Sequence, residues 1–253
     1  MNRRESGAHV VVARSKEGND ELIRKLSGLG VEAYGMETIG FEEPSDWSAV
    51  DRAVAGIQTY DWLVFTSPRG VGAFLARLSI LSVPRRLGPP RLAAVGARTA
   101  HALEEAGFAV DFVPKDYLTS ELAQGIPSDK GKRVLILRAD IGDEALPSSL
   151  RSRGFDVTDL AVYRTVTVAG WGDAERIAGA RFVVFASPSE VRGFKSRVPG
   201  GLFHAISSGA KAVCIGPVTA KEARAAGFLS VITTSEHTVD ALAERVREAV
   251  LDA

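Results

Sequence analysis

Short apolar runs recur along this chain, and a segment with helical periodicity follows most of them. The runs occupy residues 10–13, 62–65, 92–95, 134–137, 182–185 and 212–215. A run that is apolar at every position suits a strand that helices cover on both faces, as in a parallel sheet. Amphipathic segments lie between the runs, at residues 21–29, 98–106, 219–226 and 239–250. This alternation predicts βαβ units and therefore an α/β fold with parallel sheets.

The chain also contains an internal repeat. The segment around Ser67-Pro68 matches the segment around Ser187-Pro188, and further blocks match in the same order. The paired positions are Ser67 with Ser187, Gly96 with Gly216, Gly107 with Gly227 and Arg14 with Arg138. Matched blocks in one order favour duplication over a chance likeness of generic βα units. We therefore expect two similar halves of about five strands each, forming two lobes with a cleft between them.

Polar turns follow the apolar runs of both halves. Ser67 and Ser187 each precede a proline, which is typical of a helix N-cap followed by proline at the first helical position. Gly96 and Gly216 stand where a strand would turn tightly into a helix. In an open parallel sheet such turns lie at the carboxyl ends of the strands, where helix N-termini favour anions. Plain helix capping is the alternative for each turn taken alone.

Four arginines follow predicted strands at the same expected edge: Arg14, Arg69, Arg98 and Arg138. They predict a local cationic patch, although the whole chain has 31 Lys and Arg against 31 Asp and Glu. That balance argues against a broad affinity for nucleic acid. For any single arginine, the alternative is an ordinary solvated side chain.

Several familiar chemistries lack their motifs. The four histidines have no metal-ligand spacing, and the single cysteine, Cys214, predicts a buried thiol and no internal disulfide. No dinucleotide fingerprint, phosphate loop or nucleophile elbow occurs. The apolar runs are far below the roughly 20 residues of a membrane span, and the N-terminus does not resemble a signal peptide. We expect a cytoplasmic protein that binds a ligand without covalent attack.

Together these motifs resemble the uroporphyrinogen-III synthase family. The resemblance is carried by the Ser-Pro turns, Val95-Gly-Ala-Arg-Thr-Ala, Ile215-Gly-Pro-Val-Thr-Ala and Leu160-Ala-Val-Tyr-Arg-Thr, and by a closing Thr-Ser…Thr-Val-Asp-Ala-Leu. It extends over about residues 8 to 250. It implies two flavodoxin-like lobes built from noncontiguous chain, residues 1–38 with 168–253 and residues 42–162. The implied two-stranded linker comprises residues 39–41 and 163–167. The repeat alone would divide the chain near residues 128–131.

The resemblance also implies an activity. The family cyclises hydroxymethylbilane to uroporphyrinogen III, with inversion of ring D and loss of water, in tetrapyrrole biosynthesis (haem, sirohaem or cobalamin). The implied enzyme is a lyase, needs no metal or organic cofactor, acts as a monomer and makes at most transient contact with the preceding enzyme of the pathway. Its anionic tetrapyrrole substrate agrees with the arginines and the helix N-termini. From the residues alone, a cytoplasmic two-lobed sensor for a small anionic metabolite remains the alternative.

Site residues are carried over from the family position by position. Tyr163 matches a proposed proton donor, and a phenol with a pKa of about 10 is protonated at neutral pH. Strand alternation over residues 160–166 predicts that Tyr163 lies on the face opposite Leu160 and Val162. The alternative is an amphipathic tyrosine that only lines the cleft. The expected substrate-binding residues, with the arginines above, are Arg14, Thr66, Ser67, Arg69, Gly96, Ala97, Arg98, Thr99, Arg138, Ser187, Ser189, Gly216, Pro217 and Thr219. Pro217 has no N–H and can only shape its turn. Residues 79–91 are expected to form a long loop.

Overall fold

The structure is a computed structural model that describes residues 9–85, 88–115, 119–127, 131–170 and 174–253. The chain divides into two compact units: unit 1 is Met1–Gly40 with Val166–Ala253, and unit 2 is Phe41–Thr165. The strands are β1 (Val10–Arg14), β2 (Ala33–Glu37), β3 (Ile39–Glu42), β4 (Trp62–Phe65), β5 (Arg91–Ala94), β6 (Arg133–Ala139), β7 (Asp156–Thr167), β8 (Phe182–Phe185), β9 (Lys211–Cys214) and β10 (Ser230–Thr233). The chain passes between the units within β3 and within β7.

Helices follow most strands. They are α1 (Lys16–Gly28), α2 (Ser48–Ala55), α3 (Pro68–Ile80), α4 (Ala97–Glu105), α5 (Thr119–Gly125), α6 (Ala145–Ser152), α7 (Ala174–Ala178), α8 (Pro188–Arg197), α9 (Gly200–Gly209), α10 (Pro217–Ala226) and α11 (Val239–Leu251). In the described part of the chain, no helix is long and apolar enough to cross a membrane. The predicted α/β fold class with parallel sheets is confirmed, and all six apolar runs coincide with strands whose ends differ by at most two residues.

The sheet of unit 1 has the strand order β10-β9-β8-β1-β2, and its neighbouring strands pair in parallel. Counted along the chain, this is the order 2-1-3-4-5 of a flavodoxin-like sheet. The sheet of unit 2 has the order β3-β7-β6-β4-β5, with parallel pairing from β7 to β5. A further parallel bridge joins Ala93 of β5 to Phe112.

The repeat is visible in the strand registers. Val10 of β1 pairs with Ala33 of β2, and their repeat partners Val134 and Val157 pair in β6 and β7. Likewise, Phe182 of β8 pairs with Lys211 of β9, and their repeat partners Trp62 and Arg91 pair in β4 and β5. Repeat-matched strands therefore occupy matching places in the two sheets, although the units take them from different parts of the chain.

Each sheet separates two hydrophobic cores, because successive strand residues point to opposite faces. In β1, Val11 and Ala13 pack on the face with Phe194, while Val10 and Val12 pack on the face with Leu22. Unit 2 repeats this division, with one cluster around its phenylalanines and another around Trp62 and Ile136. Burying a large apolar side chain stabilises the folded state by about 1.5–3 kcal/mol. Packing on both faces of a sheet therefore holds its strands, and the turns that follow them, in place.

The loop expected over residues 79–91 is shorter than predicted. Ser79 and Ile80 continue α3, and Arg91 begins β5. Serine and isoleucine cost a helix only a few tenths of a kcal/mol, so packing of the apolar face of α3 decides their conformation. Residues 86 and 87, within the same stretch, lie outside the described part of the chain, as do residues 128–130 of the boundary suggested by the repeat.

Candidate functional site

Ser67 forms the turn between β4 and α3. Its backbone is extended, and its Oγ accepts a hydrogen bond from the N–H of Gly70 at 3.1 Å, so it is the N-cap of α3. Pro68 occupies the first helical position. A Cβ on Gly70 would lie 3.1 Å from the carbonyl oxygen of Leu137, so glycine lets this helix start sit close to the end of β6.

The expectation that Tyr163 lies opposite Leu160 and Val162 is wrong. The register of β6 and β7 shifts between Arg138 and Ala139, whose partners are Ala161 and Tyr163, so that Val162 is an extra residue in β7. An inserted residue of this kind breaks strict alternation. Tyr163 consequently packs against the same hydrophobic cluster that contains Val162 and Leu160.

The bulge places the Tyr163 hydroxyl 3.0 Å from Ser67 Oγ. The tyrosine is half-buried, and burial raises its pKa above the ordinary 10.0. The hydrogen bond to Ser67 and the charge of Arg69 lower this pKa part of the way, because each favours the phenolate, whereas Asp140 raises it. The phenol is therefore protonated at neutral pH and is held at the carboxyl end of the sheet by a helix cap.

Two side chains extend this contact. The Phe41 ring of β3 packs edge-on against Tyr163, with their centroids 5.7 Å apart. The Arg69 guanidinium lies over the Phe41 ring at 3.8 Å, a distance at which a cation–π attraction operates. Ser67, Tyr163, Phe41 and Arg69 thus form one contiguous group within unit 2.

This group borders an open pocket of about 560 Å³, here named the α3 pocket. It lies within unit 2, along the exposed side of α3. Its lining residues are Phe41, Glu42, Glu43, Trp47, Pro68, Arg69, Gly72, Ala73, Ala76, Arg77, Ile80, Val162 and Tyr163. The volume is in the range of pockets that bind small molecules.

Ser187 is the corresponding turn in unit 1. Its Oγ accepts from the N–H of Glu190 at 3.3 Å, while the Glu190 carboxylate accepts from the N–H groups of Ala186 and Ser187. Ser187 Oγ also lies 2.9 Å from Ser189 Oγ. These bonds form a capping box, in which serine and glutamate satisfy each other's backbone groups.

Arg14 is bound to this turn. Its Nε donates to Glu190 Oε1 at 3.2 Å and its Nη1 donates to the Gly18 carbonyl at 3.1 Å. The side chains of Arg14 and Glu190 are only 12% and 6% exposed. Burial raises the pKa of Glu190, and the charge of Arg14 opposes that rise. Arg14 therefore holds the Ser187 turn to β1, and the structure does not place it in an exposed cationic patch.

Arg138 is also buried, contrary to the expected exposed patch. Its Nε and Nη2 donate to the two Asp159 oxygens at 2.8 and 2.6 Å, and Nη2 also reaches Glu144 at 2.9 Å. Nη1 donates to the Asp143 carbonyl at 3.0 Å. Asp159 first, and then Glu144, raise the pKa of Arg138 above its usual range, and burial opposes them. The guanidinium is thus committed to contacts inside unit 2.

The glycine turns begin α4 and α10. Gly96 and Gly216 are extended N-caps without a side-chain acceptor, so their helices begin with backbone N–H groups that no cap side chain satisfies. Thr99 and Thr219 are buried, whereas Ala97, Arg98 and Pro217 are exposed. A Cβ on Gly216 would lie 2.9 Å from the His237 ring, so this ring covers the Gly216 turn.

The structure brings several of the predicted site residues together in two groups, one in each unit. Ser67, Arg69 and Tyr163 form one group, and Ser187 and Ser189 form another with Arg14. Thr66 is half-buried beside Ser67. Sequence reasoning missed Glu190, Phe41 and Trp47. The Ser187-x-x-Glu190 pattern is a recognisable capping-box signal, but nothing local marks the two aromatic residues.

Within the described residues, no group of three or more His, Cys, Asp and Glu is placed to hold a metal ion. The observed features define a protein of two flavodoxin-like α/β units, with capped helix N-termini, arginines and a half-buried phenol at the strand ends. A family model described as uroporphyrinogen-III synthase HemD matches residues 20–244. The chain belongs to the uroporphyrinogen-III synthase family, as its motifs suggested.

Individual relatives agree with this assignment. The uroporphyrinogen-III synthase of Synechococcus elongatus is 26% identical over 93% of each chain. The chloroplastic uroporphyrinogen-III synthase of Oryza sativa is 28% identical over 95% of this chain and 80% of its own. The fold is similar to that of a Thermus thermophilus uroporphyrinogen III synthase, with a TM-score of 0.70 and 20% identity, covering 96% of this chain and 99% of the other. These relatives give no support to the alternative of a metabolite sensor.

Proposed function

We propose that this chain catalyses the cyclisation of hydroxymethylbilane to uroporphyrinogen III, with inversion of ring D and loss of water, and is therefore a hydro-lyase. Family membership supports the activity. The observation that carries the chemistry is the Tyr163 phenol, held 3.0 Å from Ser67 Oγ beside an open pocket. The proposal includes action as a monomer in the cytoplasm and transient contact with the preceding enzyme.

The reaction demands positioning more than strong acid or base chemistry. Loss of the hydroxyl with its bonding electron pair from the substrate's hydroxymethyl carbon leaves a cationic, protonated azafulvene, which closes readily without an enzyme to the uninverted isomer. Formation of uroporphyrinogen III requires attack by the substituted carbon of ring D, through a spiro intermediate. A protein that holds the linear chain in the required geometry can contribute roughly 7–11 kcal/mol toward such a step.

Tyr163 supplies the proton for the first step. The C–O bond of the hydroxymethyl group breaks, its electron pair leaves with oxygen, and the phenolic proton completes a molecule of water. Ser67 Oγ–H can donate to the phenol oxygen, which leaves the Tyr163 proton free to point at the departing hydroxyl. This hydrogen bond also stabilises the phenolate until a proton returns from the macrocycle at ring closure.

The substrate's acetate and propionate arms need cationic and N–H partners. Arg69 and Arg98 are exposed after strand ends, and the turn at Gly96 presents backbone N–H groups at the start of α4. The corresponding turn at Gly216, where α10 begins, lies against the His237 ring, which a carboxylate bound there would contact. We assign carboxylate binding to these groups and to the turns at Ser67 and Ser187, including Thr66, Ala97, Thr99, Ser189 and Thr219. Pro217 shapes its turn. Arg14 and Arg138 act by holding the strand ends, since both are buried in ion pairs.

An isomer assay tests the proposal. Purified protein is mixed with freshly generated hydroxymethylbilane, the products are oxidised, and type I and type III uroporphyrin are separated by chromatography. Predominantly type III product is expected. Type I product at the spontaneous rate, from protein with a native circular dichroism spectrum, would overturn the proposed activity. Size-exclusion chromatography with light scattering tests the monomeric state.

A further inference from the structure

The α3 pocket combines aromatic walls with a floor of small residues. Phe41 and Trp47 are half-buried and line it from one side. Gly72 and Ala76 lie on the exposed face of α3, one turn apart, with the half-buried Ala73 beside them. Gly72, Ala73 and Ala76 carry at most a methyl group, so a flat ring can approach this part of α3 closely and pack against Phe41 and Trp47, beside the arginines that stack on them.

Charges around the pocket are unevenly distributed. Arg69 and Arg77 belong to α3 and lie on either side of the small residues. Arg77 is fixed by two hydrogen bonds to Asp51, at 2.8 and 2.5 Å, and lies 4.8 Å from the Trp47 ring. A ligand with an anionic arm therefore meets the aromatic-stacked guanidinium of Arg69 on the helix side, whereas Arg77 is paired with Asp51.

The rim of the pocket away from α3 carries two glutamates, and each has a partner. Glu42 lies 3.7 Å from Arg164, and Glu43 accepts a hydrogen bond from Trp47 Nε1 at 3.4 Å. These carboxylates repel an anionic arm, so the rim orients such a ligand with its arm toward α3. The pocket is thus suited to a planar ring that carries a carboxylate on one side.

Unit 1 differs from unit 2 at the position equivalent to Ala73. Gly193 of α8 is the repeat partner of Ala73, and a Cβ there would lie 2.5 Å from the Thr38 carbonyl oxygen. The chain of unit 1 therefore closes this one position, whereas Arg192 and Ser196, the repeat partners of Gly72 and Ala76, are exposed. In unit 2 the same position borders a pocket of about 560 Å³, and Ile80 at its end is 65% exposed.

We propose that the α3 pocket is the subsite for one pyrrole of the substrate, the ring that carries the hydroxymethyl group. This inference rests on the proposed function. Tyr163 lines the pocket and its ring contacts Phe41, with the centroids 5.7 Å apart, so a pyrrole seated against Phe41 lies next to the tyrosine, and the proposal places its hydroxymethyl carbon at the phenol oxygen. Its carboxylate arms extend toward Arg69, while the Arg77–Asp51 pair holds the Trp47 side of the pocket in place. Trp47, Ala73 and Ala76 become specificity-determining residues for this ring.

Ala76→Phe fills the pocket from an exposed helix position and should leave the fold intact. Ala205→Phe is the matched control, because Ala205 is an exposed alanine within α9, outside the pocket. The first readout is the KM for hydroxymethylbilane, which should rise at least about tenfold in Ala76→Phe and stay near wild type in Ala205→Phe.

The second readout needs no turnover. A monopyrrole with one acetate and one propionate arm is titrated into the protein, and tryptophan fluorescence is followed. Trp47→Phe removes the reporting ring, so the difference between this variant and wild type isolates the signal of Trp47. Saturable quenching in wild type and Ala205→Phe, and none in Ala76→Phe, supports the subsite.

The outcomes separate the subsite from the activity. Wild-type KM and wild-type quenching in Ala76→Phe, with type III product still formed, would overturn the subsite and leave the proposed function standing. If wild-type protein yields only spontaneous type I product, the proposed function fails. Monopyrrole binding that Ala76→Phe abolishes would then still support a pyrrole site, and its absence would overturn that site as well.

Discussion

The Tyr163 hydroxyl lies 3.0 Å from Ser67 Oγ, although the two residues are 96 positions apart in the chain. Ser67 is at the same time the N-cap of α3, accepting from the Gly70 N–H at 3.1 Å. One serine therefore joins the start of α3, which follows β4, to a phenol on β7, two strands away in the same sheet. The position of the phenol depends on the cap and on the bulge in β7, both of which are parts of the scaffold of unit 2.

Replacing Tyr163 with phenylalanine removes the hydroxyl and keeps the ring that packs on Phe41. We expect kcat for type III product to fall at least about tenfold, because a positioned general acid contributes roughly 10²–10⁴-fold. Steady-state kinetics with isomer analysis measure this change. Tyr60→Phe is the control, since the Tyr60 hydroxyl bonds Thr158 at 3.3 Å in the same unit. A loss smaller than about threefold in Tyr163→Phe would assign Tyr163 to binding only.

The pH dependence of the reaction follows from the direction of the Tyr163 pKa. Burial raises this pKa above 10.0, so the phenol keeps its proton through neutral and mildly alkaline pH, and kcat should fall only as pH rises through the raised value. The hydrogen bond with Ser67 lowers the pKa of Tyr163, so Ser67→Ala should move the alkaline fall in kcat to still higher pH. Tyrosinate absorbance, taken as a difference from Tyr163→Phe, measures the titration directly. A fall in kcat that moves to lower pH in Ser67→Ala would contradict the assigned hydrogen bond.

Much of the fold was predictable because it follows from local patterns in the sequence. Strands buried on both faces need consecutive apolar residues, and the repeat preserved Ser67 with Ser187 at the turns that follow them. The site was less predictable, because its geometry depends on departures from regularity. The extra residue Val162 in β7 places Tyr163 on the face opposite to the one that strict alternation assigns to it. An alternating sequence pattern gives no sign of such an inserted residue.

Long-range pairing explains the other difference between expectation and structure. Arg14 meets Glu190, 176 residues away, and Arg138 meets Asp159 across β6 and β7. A sequence shows that an arginine follows a strand, but the partner that buries it is known only once the strands are ordered. The pocket is harder still to predict, since it depends on how residues far apart in the chain, Phe41, Trp47 and Tyr163, pack around α3.

Arg138 tests whether a predicted binding arginine is structural. Arg138→Met leaves the Asp159 carboxylate, whose side chain is 14% exposed, without its guanidinium partner. The free energy of unfolding should fall by about 3 kcal/mol, because an uncompensated buried charge is costly. Arg192→Met removes an arginine whose side chain is 54% exposed and should change stability by less than about 0.5 kcal/mol.

Urea unfolding followed by circular dichroism measures both Arg138→Met and Arg192→Met. Below the unfolding transition, the KM of Arg138→Met should remain within about threefold of wild type. Unchanged stability combined with a large rise in KM would instead place the Arg138 guanidinium on the substrate.

Cys214 provides a test of the core of unit 1. The thiol is fully buried in β9, and burial raises its pKa to about 12. At pH 8 only about one thiol in ten thousand is then the reactive thiolate, and reagents must wait for local opening of the sheet. We expect no reaction of native protein with a thiol reagent over a period in which urea-unfolded chain reacts at one thiol per molecule. Cys214→Ala, which lacks the thiol, gives the background signal of the reagent. Complete reaction of folded protein at the unfolded rate would show that β9 is accessible, and the buried position of Cys214 would be wrong.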